Sequence, residues 1–230
     1  MENKKTAIVT GCNRGLGLGI ASSLWKTGDY RIIGLNRTPA KINWFDYKEC
    51  LTDVSNSMDV EMSYVPEHLD LLVLNAGIRR FSPVEEMTNE DWESSVSTNL
   101  SGVFYVAKKY IPKIKESKGD IIIVGSHSEK YTFEDGAAYC STKGALRMFA
   151  ECLMRELRYD DVRVSYLSLG SIKNRDHGIE ENWKLTPEEV GKAVVSIVEL
   201  PKKVMIPYID IRPTKPLKDE KSGIEKLQYV

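Results

Sequence analysis

Tyr139 and Lys143 stand four residues apart, and Ser126 precedes the tyrosine by thirteen. Helical spacing of four puts a phenol and an ammonium on one face, where the cation favours the phenolate and draws a tyrosine pKa of about 10 downward. Such a tyrosine can exchange protons near neutral pH, which is general acid/base chemistry. A tyrosine–lysine pair alone is commonly just two helix-surface residues, so its meaning rests on the elements around it.

Those elements fit. Asp120-Ile-Ile-Ile-Val-Gly-Ser126 reads as a buried strand ending in a small polar residue, followed by a loop and the helix bearing Tyr139. Ser126 is thereby expected at the carboxyl edge of a sheet, where open α/β folds bind ligands. Near the start, Thr10-Gly-Cys-Asn-Arg-Gly-Leu-Gly17 follows an apolar run and opens a helical pattern. Its glycines allow a tight turn that brings backbone amides against a pyrophosphate.

Strand-like runs cover 6–10, 31–35, 49–52, 69–74, 121–124, 162–169 and 204–211, and helical patterns alternate with them. Alternation of this kind predicts parallel strands with helical crossovers, and runs apolar on both phases, such as 69–74, predict strands covered on both faces. The expected fold is α/β: a single-domain, doubly wound Rossmann fold with a seven-stranded parallel sheet flanked by helices. Between Arg37 and Asn75 there is too little chain for two full crossover helices. A long helix is predicted over Asp91 to Lys115, with Trp92, Val96, Leu100, Val103 and Ala107 on one face and Pro112 kinking its end. Thr186-Pro-Glu-Glu189 is a capping box opening another helix. The stretch after Gly170, about 171–185, is expected to be a substrate loop.

The 230 residues suit one domain, and a net charge of −1 leaves no electrostatic footprint for nucleic acid. No apolar run is long enough for a membrane span or an export signal, and the four cysteines form no C-x-x-C pair, which predicts free thiols and a cytoplasmic location. Among other candidates, His127 is expected to be a solvated loop residue, and His68 and His177 give it no metal spacing, so no metal is expected. Cys140 is expected to be packed. Arg79, Arg80, Lys130, Lys173 and Arg175 lie in segments converging on the carboxyl edge and raise an anionic substrate, although solvated loop charges explain them more simply.

At the end of the second strand-like run, where dinucleotide sites commonly place an acid on the ribose, this chain has Asn36 and then Arg37. With Arg14 in the glycine loop, Asn36 uncharged and no carboxylate beside it to repel a 2′-phosphate, NADP(H) is the expected cofactor.

Thr10-Gly-x-x-x-Gly-x-Gly17, Leu74-Asn-Ala-Gly77, Asn99, Ser126 and Tyr139-x-x-x-Lys143, in that order, resemble the classical short-chain dehydrogenase/reductase family. The resemblance implies that Tyr139 is the acid/base toward a carbonyl or alcohol and that Ser126 hydrogen-bonds the same oxygen. It implies that Lys143 assists the tyrosine and holds the nicotinamide ribose, while Asn99 anchors a water. It implies cofactor contacts from Gly11, Asn13, Arg14, Gly15, Leu16 and Gly17; from Asn36, Arg37, Asp53 and Val54; from Asn75, Ala76, Gly77, Tyr139 and Lys143; and from Gly170, Ile172 and Asn174. The chain departs from the family in Leu169-Gly170 and in Asn174, where a Pro-Gly and a threonine are common. Its C-terminal Val204 to Pro213 looks like the subgroup with certain bacterial hydroxy-acid and serine dehydrogenases. A homodimer or homotetramer through the Asp91 and Tyr139 helices and a small carbonyl or alcohol substrate are implied. The alternatives are a non-catalytic NADP-binding sensor and an epimerase or dehydratase using the same tyrosine.

Overall fold

The computed structural model describes residues 4–173 and 182–215. Seven strands, β1 (Lys5–Thr10), β2 (Tyr30–Asn36), β3 (Tyr47–Leu51), β4 (Leu71–Leu74), β5 (Asp120–Val124), β6 (Arg163–Leu169) and β7 (Tyr208–Ile211), form one sheet in the order β3-β2-β1-β4-β5-β6-β7. Every pairing is parallel. The order reverses between β1 and β4, which opens a crevice at the carboxyl ends of those strands.

All residues of β4, β5 and β6 are buried, as continuous apolar runs require when helices cover both faces. On one face lie α2 (Ser57–Met62), α3 (Asn89–Val96), α4 (Gly102–Ser117) and α5 (Ala137–Leu157), with Val106, Tyr110, Leu146 and Ala150 in the core. On the other lie α1 (Gly15–Lys26) and α6 (Pro187–Val198), with Ile20, Leu24, Val190 and Val194. The predicted capping box opens α6: Thr186 Oγ1 accepts from Glu189 N at 3.2 Å, and Glu189 Oε2 accepts from Thr186 N at 2.7 Å.

The shortage of chain between β2 and β4 is met by leaving the β2–β3 connection without a helix. Trp44 from that connection stacks on Trp25 of α1 at 5.1 Å and meets Tyr47 edge-on at 6.1 Å. These rings take over apolar cover that a crossover helix would give.

The long helix predicted over 91–115 is present as one continuous rod, in which α3 runs into α4 through a π-turn, Ser97–Ser101, and passes Pro112 to end at Ser117. A π-turn inserts one residue, so the apolar stripe before it rotates relative to the stripe after it. Val103 and Ala107 are buried accordingly, whereas Trp92, expected on the same face, is 43% exposed. The last strand starts at Tyr208 and not at Val204, because the carbonyl of Val204 turns to accept from Arg163 Nη1 at 3.0 Å.

Candidate active site

Ser126 follows β5 and caps a single 3₁₀ turn, accepting from Ser128 N at 3.2 Å. Gly125 before it admits no side chain, since a Cβ there would fall inside the Tyr166 ring. Tyr139 lies in the first turn of α5, partly exposed, and Lys143 one turn later is only 5% exposed. The Lys143 Nζ donates to the carbonyl of Val124 at 3.0 Å and sits 5.8 Å from the centre of the Tyr139 ring. An ammonium has three donors, and among the described residues no carboxylate pairs with this one. Burying a charge without a counter-ion is expensive, so this lysine is held for something other than stability.

Asn99 occupies the π-turn and is 1% exposed. Its Nδ2 donates to Ile78 O at 2.9 Å and Thr142 Oγ1 at 3.2 Å, and its Oδ1 accepts from Ile78 N at 2.8 Å. Asn99 thereby ties the loop after β4 to α5 within a turn of Lys143. π-turns recur at functional sites because they turn a side chain off the helical register.

The glycine loop has the shape a dinucleotide needs. Gly11 and Gly15 adopt φ of +65° and +54°, and a Cβ on Gly17 would lie 2.6 Å from Asn75 Nδ2. Thr10 Oγ1 accepts from the amides of Asn75 and Ala76, both at 2.9 Å, which clamps β1 to the end of β4. The first turn of α1 carries no side-chain cap and no acid, so its amides are open to an anion. Leu16 packs against the core, Asn13 Nδ2 donates to Thr38 Oγ1 at 2.7 Å, and Arg14 and Arg37 are exposed. The loop, the open amides and the two guanidiniums fit a phosphate-bearing dinucleotide.

Several residues named from sequence are engaged within the protein. Asn36 is fully buried, and its Nδ2 donates to Tyr47 OH at 2.9 Å and to Glu49 Oε1 at 3.3 Å. The expectation that no carboxylate stands beside Asn36 is therefore corrected: Glu49 arrives from the neighbouring strand, held also by Ala40 N at 2.7 Å. Asp53 accepts from Ser55 N and Oγ at 3.0 and 2.7 Å, and Val54 packs beside Gly102. Gly77 lies against Asn99, and the Gly170 amide donates to Ile211 O at 2.9 Å. Ile172 bridges to Leu185, while Asn174, Arg175 and His177 lie outside the described residues.

His127 is not a solvated loop residue. It is 3% exposed, with Nε2 2.6 Å from Asp210 Oδ1 on β7. The Arg212 guanidinium, and then His127, hold the Asp210 carboxyl below its usual range against the opposing effect of burial. Glu129 was also missed from sequence: its Oε1 accepts from Tyr208 OH at 2.9 Å and Ser168 Oγ at 3.2 Å beneath the Ser126 turn. Burial first, and then Glu129, push the neighbouring Tyr166 phenol strongly upward, so it stays protonated. Cys140 is packed at 7% exposure, and burial raises its thiol pKa. Of the cations raised from sequence, Arg80 pairs with Asp91 at 2.9 Å, and Lys130 lies 5.9 Å over the Tyr208 ring.

A sequence profile described as short chain dehydrogenase matches residues 5–182. The chain belongs to the short-chain dehydrogenase family. An uncharacterized oxidoreductase of Staphylococcus haemolyticus is 28% identical over 229 residues, covering 92% of this chain and 98% of its own length. Among solved structures, serine dehydrogenase from Escherichia coli superposes with a TM-score of 0.82 at 27% identity, over 90% of this chain and 97% of that one. An alcohol dehydrogenase from the archaeon Thermococcus sibiricus, complexed with 5-hydroxy-NADP, gives 0.80 at 25% identity, over 92% and 97%. This short-chain dehydrogenase is thus an oxidoreductase of a family with NADP-complexed members, and among its described residues no helix is long and apolar enough to cross a membrane.

Proposed function

We propose that this short-chain dehydrogenase interconverts a ketone or aldehyde and its alcohol with NADP(H), with Tyr139 as general acid and base. The observation that carries the proposal is the buried Lys143 ammonium beside the partly exposed Tyr139, with a single carbonyl acceptor and no carboxylate among the described residues. A cation so placed stabilises negative charge developing on the phenol oxygen, and its remaining donors are available to ribose hydroxyls.

In the reducing direction Tyr139 gives its proton to the carbonyl oxygen as Ser126 Oγ donates a hydrogen bond to the same atom. Asn99 holds the loop after β4 against α5, which keeps Tyr139 and Lys143 in register. Bound NADPH supplies the hydride to the carbonyl carbon. The pyrophosphate would be held by Gly11, Gly15, Gly17 and the first turn of α1, the 2′-phosphate by Arg14 and Arg37, the adenine by Asp53 and Val54, and the nicotinamide half by Asn75 to Gly77, Gly170 and Ile172; Asn174, expected there from sequence, lies outside the described residues. Asn36 acts from behind, fixing the ends of β2 and β3 through Tyr47 and Glu49.

The subunit contact is assigned to the outer faces of α4 and α5, where Phe104 and Met148 are 45% and 53% exposed; light scattering that finds only monomer contradicts it. The cofactor assignment is tested by fluorescence titration. NADPH should bind about tenfold or more tightly than NADH, and Arg37→Ala should erase the difference. Equal affinities in the unaltered protein contradict it.

A further inference from the structure

We infer that the substrate carries an aromatic ring or a similarly flat apolar group next to its reacting carbonyl, received by a wall that Phe81 and Phe133 build beside Tyr139. The inference rests on the carbonyl-reductase reading above and names the substrate class for that site.

Phe81 comes from the loop after β4 and Phe133 from the loop before α5. Their rings meet edge to face at 5.3 Å and 86°, and Phe81 meets the Tyr139 ring in the same manner at 5.9 Å and 87°. Both contacts are in the geometry that aromatic quadrupoles favour, so the three rings form one patch with the reactive phenol at its end. Phe81 nonetheless remains 46% exposed. An exposed phenyl ring fixed by two aromatic neighbours, next to a proton donor, is an apolar surface waiting for a flat partner.

The wall is built and held. Ser82 N donates to Asp135 O at 2.9 Å, joining the two loops, and Asp135 adopts a left-handed φ of +62°, uncommon for a residue with a side chain. At Gly136, which opens α5, a Cβ would lie 2.6 Å from the Phe133 ring, so the glycine lets that ring sit against the helix start. Three of the charges on these loops are engaged elsewhere: Arg80 with Asp91, Glu129 with Tyr208 and Ser168, Lys130 over the Tyr208 ring. With the Phe81 ring 5.9 Å from that of Tyr139, a carbonyl whose oxygen reaches Tyr139 can lay one substituent against Phe81, and a ring there gains contact that a methyl or an amino acid head group does not.

The test uses the full chain and NADPH with two diketones that differ in one substituent, 1-phenyl-1,2-propanedione and 2,3-butanedione, and NADP⁺ with serine. The phenyl compound should exceed butanedione in kcat/KM by about tenfold or more; Phe81→Ala should bring that ratio near one, and Phe81→Tyr, which keeps the ring, should retain it. Because the readout is a ratio, a general loss of activity in a variant cancels. Preference for butanedione or serine, or a ratio unmoved by Phe81→Ala, overturns the aromatic wall and leaves the reductase reading standing. If NADPH binds and neither diketone is reduced, the aromatic wall falls, and the reductase reading falls with it only when other aldehydes, ketones and keto acids are not reduced either.

Discussion

The two edges of the sheet treat charge in opposite ways. At the amino edge Arg163 forms a two-pronged pair with Asp120 at 2.7 and 2.8 Å, and its remaining donors meet the carbonyls of Val198, Leu200 and Val204. Lys202 adds a second cation to Asp120 at 3.2 Å, and Asp70 takes the amide of Thr6 at 2.8 Å. At the carboxyl edge Lys143 is buried with no anion beside it among the described residues, and Asn36 Oδ1, His127 Nδ1 and Glu129 Oε2 are buried polar atoms with no hydrogen-bond partner among them. Buried polar groups are ordinarily satisfied, so one end of this molecule is arranged for stability and the other keeps capacity for something that binds.

Substitutions on the two edges should therefore separate activity from stability. Lys143→Met removes a buried, unpaired ammonium and leaves an apolar chain of similar size. We expect carbonyl reduction to fall by about a hundredfold or more while the melting temperature of the cofactor-free protein stays level or rises. A large loss of stability would mean that Lys143 is structural, and the contrast between the edges would disappear.

Arg163→Ala should do the reverse, since it leaves Asp120 as a buried carboxylate with only the partly exposed Lys202. Breaking such a pair costs about 3–5 kcal/mol, seen as a lower denaturant midpoint, with kcat kept in the fraction that stays folded. A midpoint within experimental error of wild type contradicts it.

A smaller effect is expected in alkali. Cys12, fully buried under the glycine loop, has its thiol pushed up from 9.0 to about 11 by burial. The unfolded thiol loses its proton near pH 9 and the folded one does not, so stability is unaffected below pH 9 and declines as pH rises from there to 11. The loss over that interval is about 2–3 kcal/mol. Cys12→Ala should flatten the decline in urea midpoints between these pH values, and an unchanged slope would assign it to other groups.

What was legible in the sequence was local. Thr10 to Gly17, the Ser126 strand end and Tyr139 with Lys143 each carry their spacing within one element or one turn, and the alternation of apolar runs set the seven parallel strands. What was not legible depends on partners far along the chain. His127 finds Asp210 across 83 residues, and Glu129 finds Tyr208 across 79, so neither has a neighbour in sequence that marks it as buried. Glu49 is closer, but only the pairing of β2 with β3 brings it to Asn36. The π-turn at Asn99 has no signature in helical periodicity, because one inserted residue shifts the stripe without ending the helix. Phe81 carries no signal in its own stretch of sequence, and only the fold brings its ring against Tyr139.

The most direct test of the account is the oxidation of NADPH across a panel of aldehydes, ketones, keto acids and diketones, with wild type run beside Tyr139→Phe, which keeps the ring and loses the proton. The account predicts turnover by the wild type and its loss, by about a hundredfold or more, in a variant that still binds NADPH and melts at the same temperature. Wild-type rates in Tyr139→Phe, or no carbonyl reduced by a wild type that binds NADPH, would contradict it.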